Sequence, residues 1–256
     1  MKSNSVLALQ EKLVNLGYPL KTDGDFGNAT YNAVVDFQKK NQLGVDGVVG
    51  NDTIRKIDSK IMASANGPLI ESDYLWAAVE LNADIAAVKA VREVESPRGG
   101  FLPDGRPTIL YERHIMAKRL ELLGINPEPF IKVDPNIVSR STGGYIGGSA
   151  EYNRLQKATL INPQAAQESC SWGAYQIMGM HWKYLGYTSV DQFVTVMSSS
   201  ERGQLEVFVN FIKNDKGLLK ALRNKDWADF AYRYNGKEYA KNKYDQKLST
   251  AYTKYS

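Results

Sequence analysis

An eight-residue pattern occurs twice within the first sixty residues, and it constrains the fold more than any other feature. Asp23-Gly24-Asp25-Phe26-Gly27-Asn28-Ala29-Thr30 returns as Asp46-Gly47-Val48-Val49-Gly50-Asn51-Asp52-Thr53, offset by 23 residues, so both copies read D-G-x-x-G-N-x-T. Each copy predicts a structured loop: its glycines suit turn positions with positive φ, and the polar residues after them suit a helix start. An apolar stripe at helical spacing follows each, Val34 and Phe37 after the first and Ile54, Ile57 and Ile61 after the second. Ahead of both, Val6, Leu9, Leu13 and Leu16 share one helical face that Gly17 stops. The expectation is a compact three-helix unit over residues 1–62. The first loop lacks the spaced acidic ligands and closing glutamate of an EF-hand, which excludes that kind of calcium site.

Residues 63–72, within the small, polar stretch MASANGPLIES, predict a linker, and residues 73–256 a second, larger domain. There the pattern is helical from Leu75 to Glu95, then a Gly- and Pro-rich loop, SPRGGFLPDGRP, leads into a short extended TILYE segment. A helix ending near Leu123-Gly124 and a glycine-rich stretch, STGGYIGGSAEY, come next. In the last third, Ser198 and Glu201 read as a capping box opening a helix with Leu205, Phe208 and Ile212 on one face. A helix from Asp226-Trp227 and a final Tyr- and Lys-rich helix complete a mainly α fold with a minor sheet.

Hydrophobic residues make up 43% of the chain, enough to bury a core, yet no run approaches eighteen apolar residues, so no stable membrane insertion is expected. MKSNSVLALQEKL enters an amphipathic pattern directly and lacks a signal-peptide core, predicting synthesis in a cytoplasm. One cysteine, Cys170, and two histidines, His114 and His181, without paired spacing argue against a disulfide framework and a zinc site; no metal or cofactor is expected. From Lys213 to Ser256, eleven Lys or Arg face five Asp or Glu. A solvated helical face is the first reading. Attraction to a polyanion such as nucleic acid, phospholipid or an anionic cell wall is the second, and the scatter of the charges makes nucleic acid the weaker choice.

A general acid must be a group that stays protonated near neutral pH, and burying a carboxyl against apolar groups supplies one. In AVKAVREVES, Glu95 follows Val88 and Val91 on one face and falls in the last helical turn, where the helix dipole disfavours a negative charge. Ser96-Pro97 then opens a loop that sets Glu95 at a cleft edge. Glu93 points the other way, four residues after Lys89, as a solvated pair. Asp104 sits in Pro103-Asp104-Gly105, a turn signature.

The stretch LQEKLVNLGYPLKTDGDFGNATYNAVVDFQKKNQLGVDGVVGNDTIRKI resembles the peptidoglycan-binding module found at the ends of many wall hydrolases, over nearly all of residues 5–61. The resemblance marks Asp23, Phe26 and Asp46 as residues of that module. AVREVESPRGGFLPDGRPTILYERHIMAKRL, GGYIGGSAEYNRLQKA, SCSWGAYQIMG and FAYRYNGKEYAKNKYDQKLSTAY resemble a family of phage N-acetylmuramidases in the lysozyme-like superfamily, covering residues 70–253. SWGAYQIMG is also similar to a segment of soluble lytic transglycosylases and goose-type lysozymes that lines the floor of the sugar cleft.

The resemblance implies a lysozyme-like catalytic domain in which Glu95 is the acid, Tyr175 and Gln176 line the cleft, and Tyr234 and Asn235 contact substrate near the acid. Each tyrosine also fits a packing role. Glu112 fits either an ion pair with Arg113 or Arg106 or a place in the site, the first being favoured. No second catalytic carboxylate stands out; Ser141, Thr142 or Gln176 could hold a water, and Thr142 is carried as a substrate-binding candidate. The expected partner is bacterial peptidoglycan, bound by a monomer acting as an endolysin that reaches the wall once the inner membrane opens. The alternatives are a lytic transglycosylase, which leaves a 1,6-anhydro sugar, and a wall-binding protein without activity.

Overall fold

A computed structural model describes residues 3–96 and 99–256, without the side chains of Asn4, Asp58, Ser59 and residues 61–66. The expected place of Ile61 in the apolar stripe, and of Pro97 in the loop after Glu95, therefore lie outside what is described. The chain divides into two units, Met1–Trp76 and Ala77–Ser256. Among the described residues, no helix is long and apolar enough to cross a membrane.

The first unit holds α1 (Asn4–Asn15), α2 (Asn28–Lys40) and α3 (Asn51–Asn66). Leu9, Leu13, Val34, Phe37 and Ile57, at positions expected from their spacing, form its core together with Ala33. Gly17, at φ +90°, ends α1 as expected: Gly17 N donates to the Val14 carbonyl and Tyr18 N to that of Leu13, the paired bonds of a Schellman stop.

The two D-G loops hang on two buried glutamines. Gln10 Oε1 accepts from Asp23 N (3.1 Å) and Gly24 N (2.8 Å), while its Nε2 donates to Asp23 Oδ1, the Asp25 carbonyl and Thr30 Oγ1. Gln38 repeats this on Asp46 N (3.2 Å), Gly47 N (2.9 Å), Asp46 Oδ1, the Val48 carbonyl and Thr53 Oγ1. Each amide, 1% exposed, has both ends occupied, which removes the penalty of burying it.

The stretch expected to be a linker begins as helix, since α3 runs on to Asn66. Ala and Met are strong helix formers, and Gly67 is where the helix stops. α4 (Glu71–Leu81) begins in the first unit and ends in the second. The helix expected from Leu75 to Glu95 is broken: Asn82 takes φ +45°, and α5 (Ile85–Glu95) starts anew after Asp84. Asparagine tolerates that left-handed backbone better than most residues.

The second unit continues with β1 (Ile109–Tyr111), α6 (Arg113–Leu122), α7 (Glu128–Val133), α8 (Glu151–Ile161), α9 (Pro163–Glu168), β2 (Cys170–Trp172) and β3 (Ile177–Met178). It ends in α10 (Val190–Ser199), α11 (Glu201–Asn214), α12 (Lys216–Asn224), α13 (Trp227–Asn235) and α14 (Tyr244–Tyr255). The strands form an antiparallel sheet in the order β1-β2-β3, with Tyr111 opposite Cys170 and Ser171 opposite Met178. The TILYE segment is thus an edge strand, as its β-branched and aromatic content predicts. The capping expectation shifts by two residues: Ser198 lies inside α10, and Ser200 Oγ caps α11 by accepting from Gly203 N at 2.9 Å. Glu201, now the first residue of the helix and not the third, closes no capping box, and its carboxylate is engaged by Arg92 and Gly100.

Candidate active site

Glu95 is the last residue of α5. Behind it Val88 and Val91 are fully buried, so the apolar face expected from periodicity is real. α14 packs along α5, and α13 brings Asn235 to the helix end. Asn235 Nδ2 donates to both oxygens of Glu95, at 3.1 and 3.2 Å, and is the one hydrogen-bond partner of that carboxyl among the described residues. Burial pushes the Glu95 carboxyl up from the ordinary 4.5 to about 7, against the smaller opposing pulls of the Asn235 amide and the positive charge of Lys247. A carboxylic acid poised there is half protonated at neutral pH, which is what donating a proton to a leaving oxygen requires.

Glu93, two residues earlier, is the opposite case. Its carboxylate is exposed and takes Lys254 Nζ (2.7 Å) and Tyr255 OH (2.5 Å) from α14, bonds that hold it below the usual carboxylate range, the lysine contributing most. The solvated reading holds, with partners on the C-terminal helix.

Residues 84–256 match the family profile described as N-acetylmuramidase, and residues 2–57 match the putative peptidoglycan binding domain. The chain belongs to the N-acetylmuramidase family. The crystal structure of the Burkholderia AP3 phage endolysin superposes with a TM-score of 0.71 at 47% identity, covering 99% of this chain and 96% of that one. The type VI secretion system spike protein VgrG3 of Vibrio cholerae serotype O1 is 39% identical over 74 residues, 23% of this chain and 7% of that protein's length.

Within the muramidase unit, the YNG residues divide their work. Tyr234 stacks on Phe230 at 5.6 Å, and its hydroxyl donates to the Tyr175 carbonyl at 2.7 Å. Burial, then the charge of Glu95, pushes that phenol well up. Gly236, at φ +81°, ends α13 directly after Asn235. Asn235 Oδ1 is buried without a hydrogen-bond partner. The same amide turned over would present that oxygen to a protonated Glu95, so one side chain can serve both charge states of the acid.

Tyr175 is a core residue and does not line an open cleft: its ring is fully buried and stacks on Phe208 at 4.4 Å. Of its two readings, packing is the one the structure supports. Gln176 is half-buried at φ +48°; its Oε1 accepts from Ser171 Oγ (2.7 Å), and its Nε2 donates to the Gly173 carbonyl (2.8 Å). It joins Tyr175, whose carbonyl meets Tyr234, to the sheet. Thr142 stands elsewhere, exposed on the glycine-rich loop with its carbonyl held by Arg113 Nη2 at 2.7 Å.

Asp104 forms the expected turn, accepting from Arg106 N (3.1 Å) and its guanidinium (2.6 Å). Glu112 pairs with neither Arg113 nor Arg106. Its oxygens accept from Tyr145 OH at 3.0 and 2.9 Å, and His114 Nδ1 stands 3.2 Å from one of them without a hydrogen bond. Arg106 is held by Asp104, and Arg113 by the carbonyls of Pro135, Ser141 and Thr142. In the binding module, the Asp23 and Asp46 carboxylates are taken up inside their own loops, bonding Asp25 N (3.0 Å) and Val48 N (2.8 Å) as well as the two glutamines. Phe26 is exposed and lines a largely apolar groove of about 600 Å³ with Val6, Val48 and Ile54.

Sequence reasoning missed the groups that frame Glu95. Arg92, one turn before it, binds Glu201 Oε2 (2.7 Å) and the Ser96 carbonyl (2.8 Å), while Glu201 Oε1 accepts from Gly100 N (3.1 Å). Fully buried Gln204 accepts from Ala174 N (2.7 Å) and donates to the Gly100 carbonyl (3.1 Å). Together they tie both ends of the loop after Glu95 to the turn before Tyr175. Gly173 is required there: at φ +69° its backbone lies so close to Gln204 that a Cβ would sit 2.5 Å from the amide carbon. The available signal was Gln204 itself, a polar residue on the apolar face of Leu205 and Phe208.

Proposed function

We propose that this muramidase unit hydrolyses the β-1,4 bond between N-acetylmuramic acid and N-acetylglucosamine in bacterial peptidoglycan, with Glu95 as general acid. The observation that carries the reading is Glu95 itself, a carboxyl whose burial at the end of α5 raises it to about 7 and whose bond to Asn235 fixes its direction. Residues 1–62 form the wall-targeting module, 63–72 the joint, and 73–256 the catalytic domain. The likeness to the Burkholderia AP3 phage endolysin supports a role in opening the wall of a host cell from within. The protein works as a monomer and without a cofactor: Glu95 protonates the leaving oxygen, and water completes the cleavage. Asn235 orients the acid, Tyr234 supports Asn235 from below, and Gln176 lines the adjoining surface.

The test is mass spectrometry of purified sacculi digested to completion. Hydrolysis gives muropeptides with reducing N-acetylmuramic ends; products lighter by one water, with 1,6-anhydro ends, would replace the hydrolase reading by a transglycosylase. Glu95→Gln, which keeps the shape and removes the acid, should release either product more slowly, by a factor on the order of 10²–10⁴. Clearing of walls by that variant at the wild-type rate would remove Glu95 from its role. Binding of walls by the wild type without any product would leave a binding protein.

A further inference from the structure

The glycine-rich loop between α7 and α8 is held more firmly than its exposure requires. Arg113 clamps the carbonyls of Pro135, Ser141 and Thr142. Glu151, fully buried, spends one oxygen on Ile146 N (2.6 Å) and Gly147 N (2.9 Å) and the other on Tyr111 N (3.2 Å) and Arg154 Nη1 (2.8 Å). Gly144, at φ +81°, lies against the Arg113 guanidinium, where a Cβ would come within 3.2 Å of Cζ. A buried ion pair is a weak source of net stability, so its use here is to fix a backbone. What that backbone displays is Tyr145, 47% exposed, and Ile146, 66% exposed, side by side at the loop tip. The tyrosine is held a second time, its hydroxyl bonded to both oxygens of Glu112.

The sheet connects this tip to the acid. Side chains alternate along a strand, so Leu110 and Glu112 fall on the same side as Ser171 and Met178, and Tyr111 and Cys170 on the other. Ser171 Oγ bonds Gln176, whose neighbour Tyr175 receives the Tyr234 hydroxyl beside Asn235 and Glu95. A run of hydrogen bonds and chain neighbours thus leads from Glu95 through Tyr234, Tyr175 and Gln176 to Ser171 on β2, which pairs with Leu110 of β1 two residues before Glu112.

We propose that Tyr145, with Ile146 beside it and Glu112 beneath its hydroxyl, is a sugar-ring subsite for an N-acetylhexosamine of the glycan strand, at a distance along the sheet from the ring cleaved at Glu95. The chemistry fits: a preordered aromatic face meets the apolar C–H face of a pyranose at little entropic cost, and the carboxylate accepts from a hydroxyl or acetamido N–H at its edge. The inference rests on the hydrolase reading above.

The experiment measures release of reducing ends from peptide-free glycan strands, with kcat and KM resolved, for wild type, Tyr145→Phe and Tyr145→Ala. Tyr145→Ala should raise KM about tenfold with kcat and the pH profile unchanged, the pattern of lost uniform binding. Tyr145→Phe, which keeps the ring, should raise KM by less than about threefold. Thermal melts that match wild type establish that both variants fold. A KM for Tyr145→Ala within twofold of wild type overturns the subsite, as does a fall in kcat at constant KM. If the wild type releases no reducing ends, the hydrolase reading has failed on its own. Calorimetric titration of tetra-N-acetylchitotetraose into wild type and Tyr145→Ala then decides the subsite: about tenfold weaker binding by the variant supports it, and equal binding or none by the wild type overturns it.

Discussion

Gln10, fully buried, and Glu95, half-buried at the end of α5, both lie on the apolar face of a helix, and they have opposite fates. Gln10 finds five hydrogen bonds, from two backbone amides to its oxygen and from its nitrogen to Asp23, Asp25 and Thr30. Glu95 finds Asn235. A satisfied buried amide is inert and builds structure; an under-satisfied buried carboxyl pays in raised pKa and so becomes reactive. The binding module repeats the first solution at Gln38, and Glu95 of the muramidase unit takes the second.

The comparison breaks most visibly at Glu95. Glu95→Gln should cut turnover by a factor on the order of 10²–10⁴, the usual contribution of general acid catalysis. It should also change stability with a definite sign. The native state holds the Glu95 proton up to about 7 whereas an unfolded chain loses it near 4.5, so the native state binds more protons between these values and loses stability as pH rises. Above pH 7 the penalty reaches about 3 kcal/mol, which Gln does not carry. Melts at pH 8 should therefore show the variant more stable than wild type, with the gap closing at pH 4. A variant less stable than wild type at pH 8 would show that the carboxylate is welcome where it lies.

Gln10→Ala tests the other half. Asp23 N and Gly24 N would lose their acceptor together, at a cost of about 3 kcal/mol to the first unit. Wall pull-down by the full chain should fall, and proteolysis should cut near residues 23–30, while turnover of soluble glycan fragments stays at the wild-type level. Turnover that fell in parallel would mean the module does more than hold the wall.

These two residues also mark how far the sequence could be read. The repeated loops, the stripes of Leu9, Leu13, Val34 and Phe37, and the contrast of Glu95 with Glu93 follow from period and turn chemistry, which are local. Gln10 and Gln38 are repeat elements too, but their spacing differs from that of the loops, so matching the D-G patterns does not reveal them. Glu112 was hidden because its partner, Tyr145, lies 33 residues away across a glycine-rich loop. Gln204 bonds Gly100 from 104 residues off. The break at Asn82 and the cap at Ser200 were missed because several neighbouring residues could do the job, and tertiary packing chose among them.

Smaller effects sharpen the picture around the acid. Asn235→Ala removes the hydrogen bond that favours the ionised form of Glu95, so the carboxyl should rise further. The alkaline limb of kcat/KM should move to higher pH by up to about one unit, with a loss of kcat as the acid loses its direction. A limb that moved to lower pH would mean that Asn235 stabilises the protonated form instead, through Oδ1.

Lys247 acts on the same carboxyl by charge alone. It lies on α14, exposed, with Nζ 5.3 Å from the centre of the Tyr244 ring, and its positive charge is the weaker of the two influences that lower Glu95. Lys247→Met keeps the length of the stem and removes the charge, so the alkaline limb should again move upward, by a few tenths of a pH unit at low salt. Salt separates this case from Asn235→Ala. Raising ionic strength from about 0.01 to about 1 M shortens the screening length from about 30 to about 3 Å, so the wild-type limb should drift toward that of Lys247→Met and the difference between them close. The shift from Asn235→Ala, made through a buried hydrogen bond, should persist in the same titration. If the Lys247→Met shift also survived 1 M salt, the lysine would be touching Glu95 through a shielded contact, and α14 would belong to the immediate surroundings of the acid, as Asn235 does.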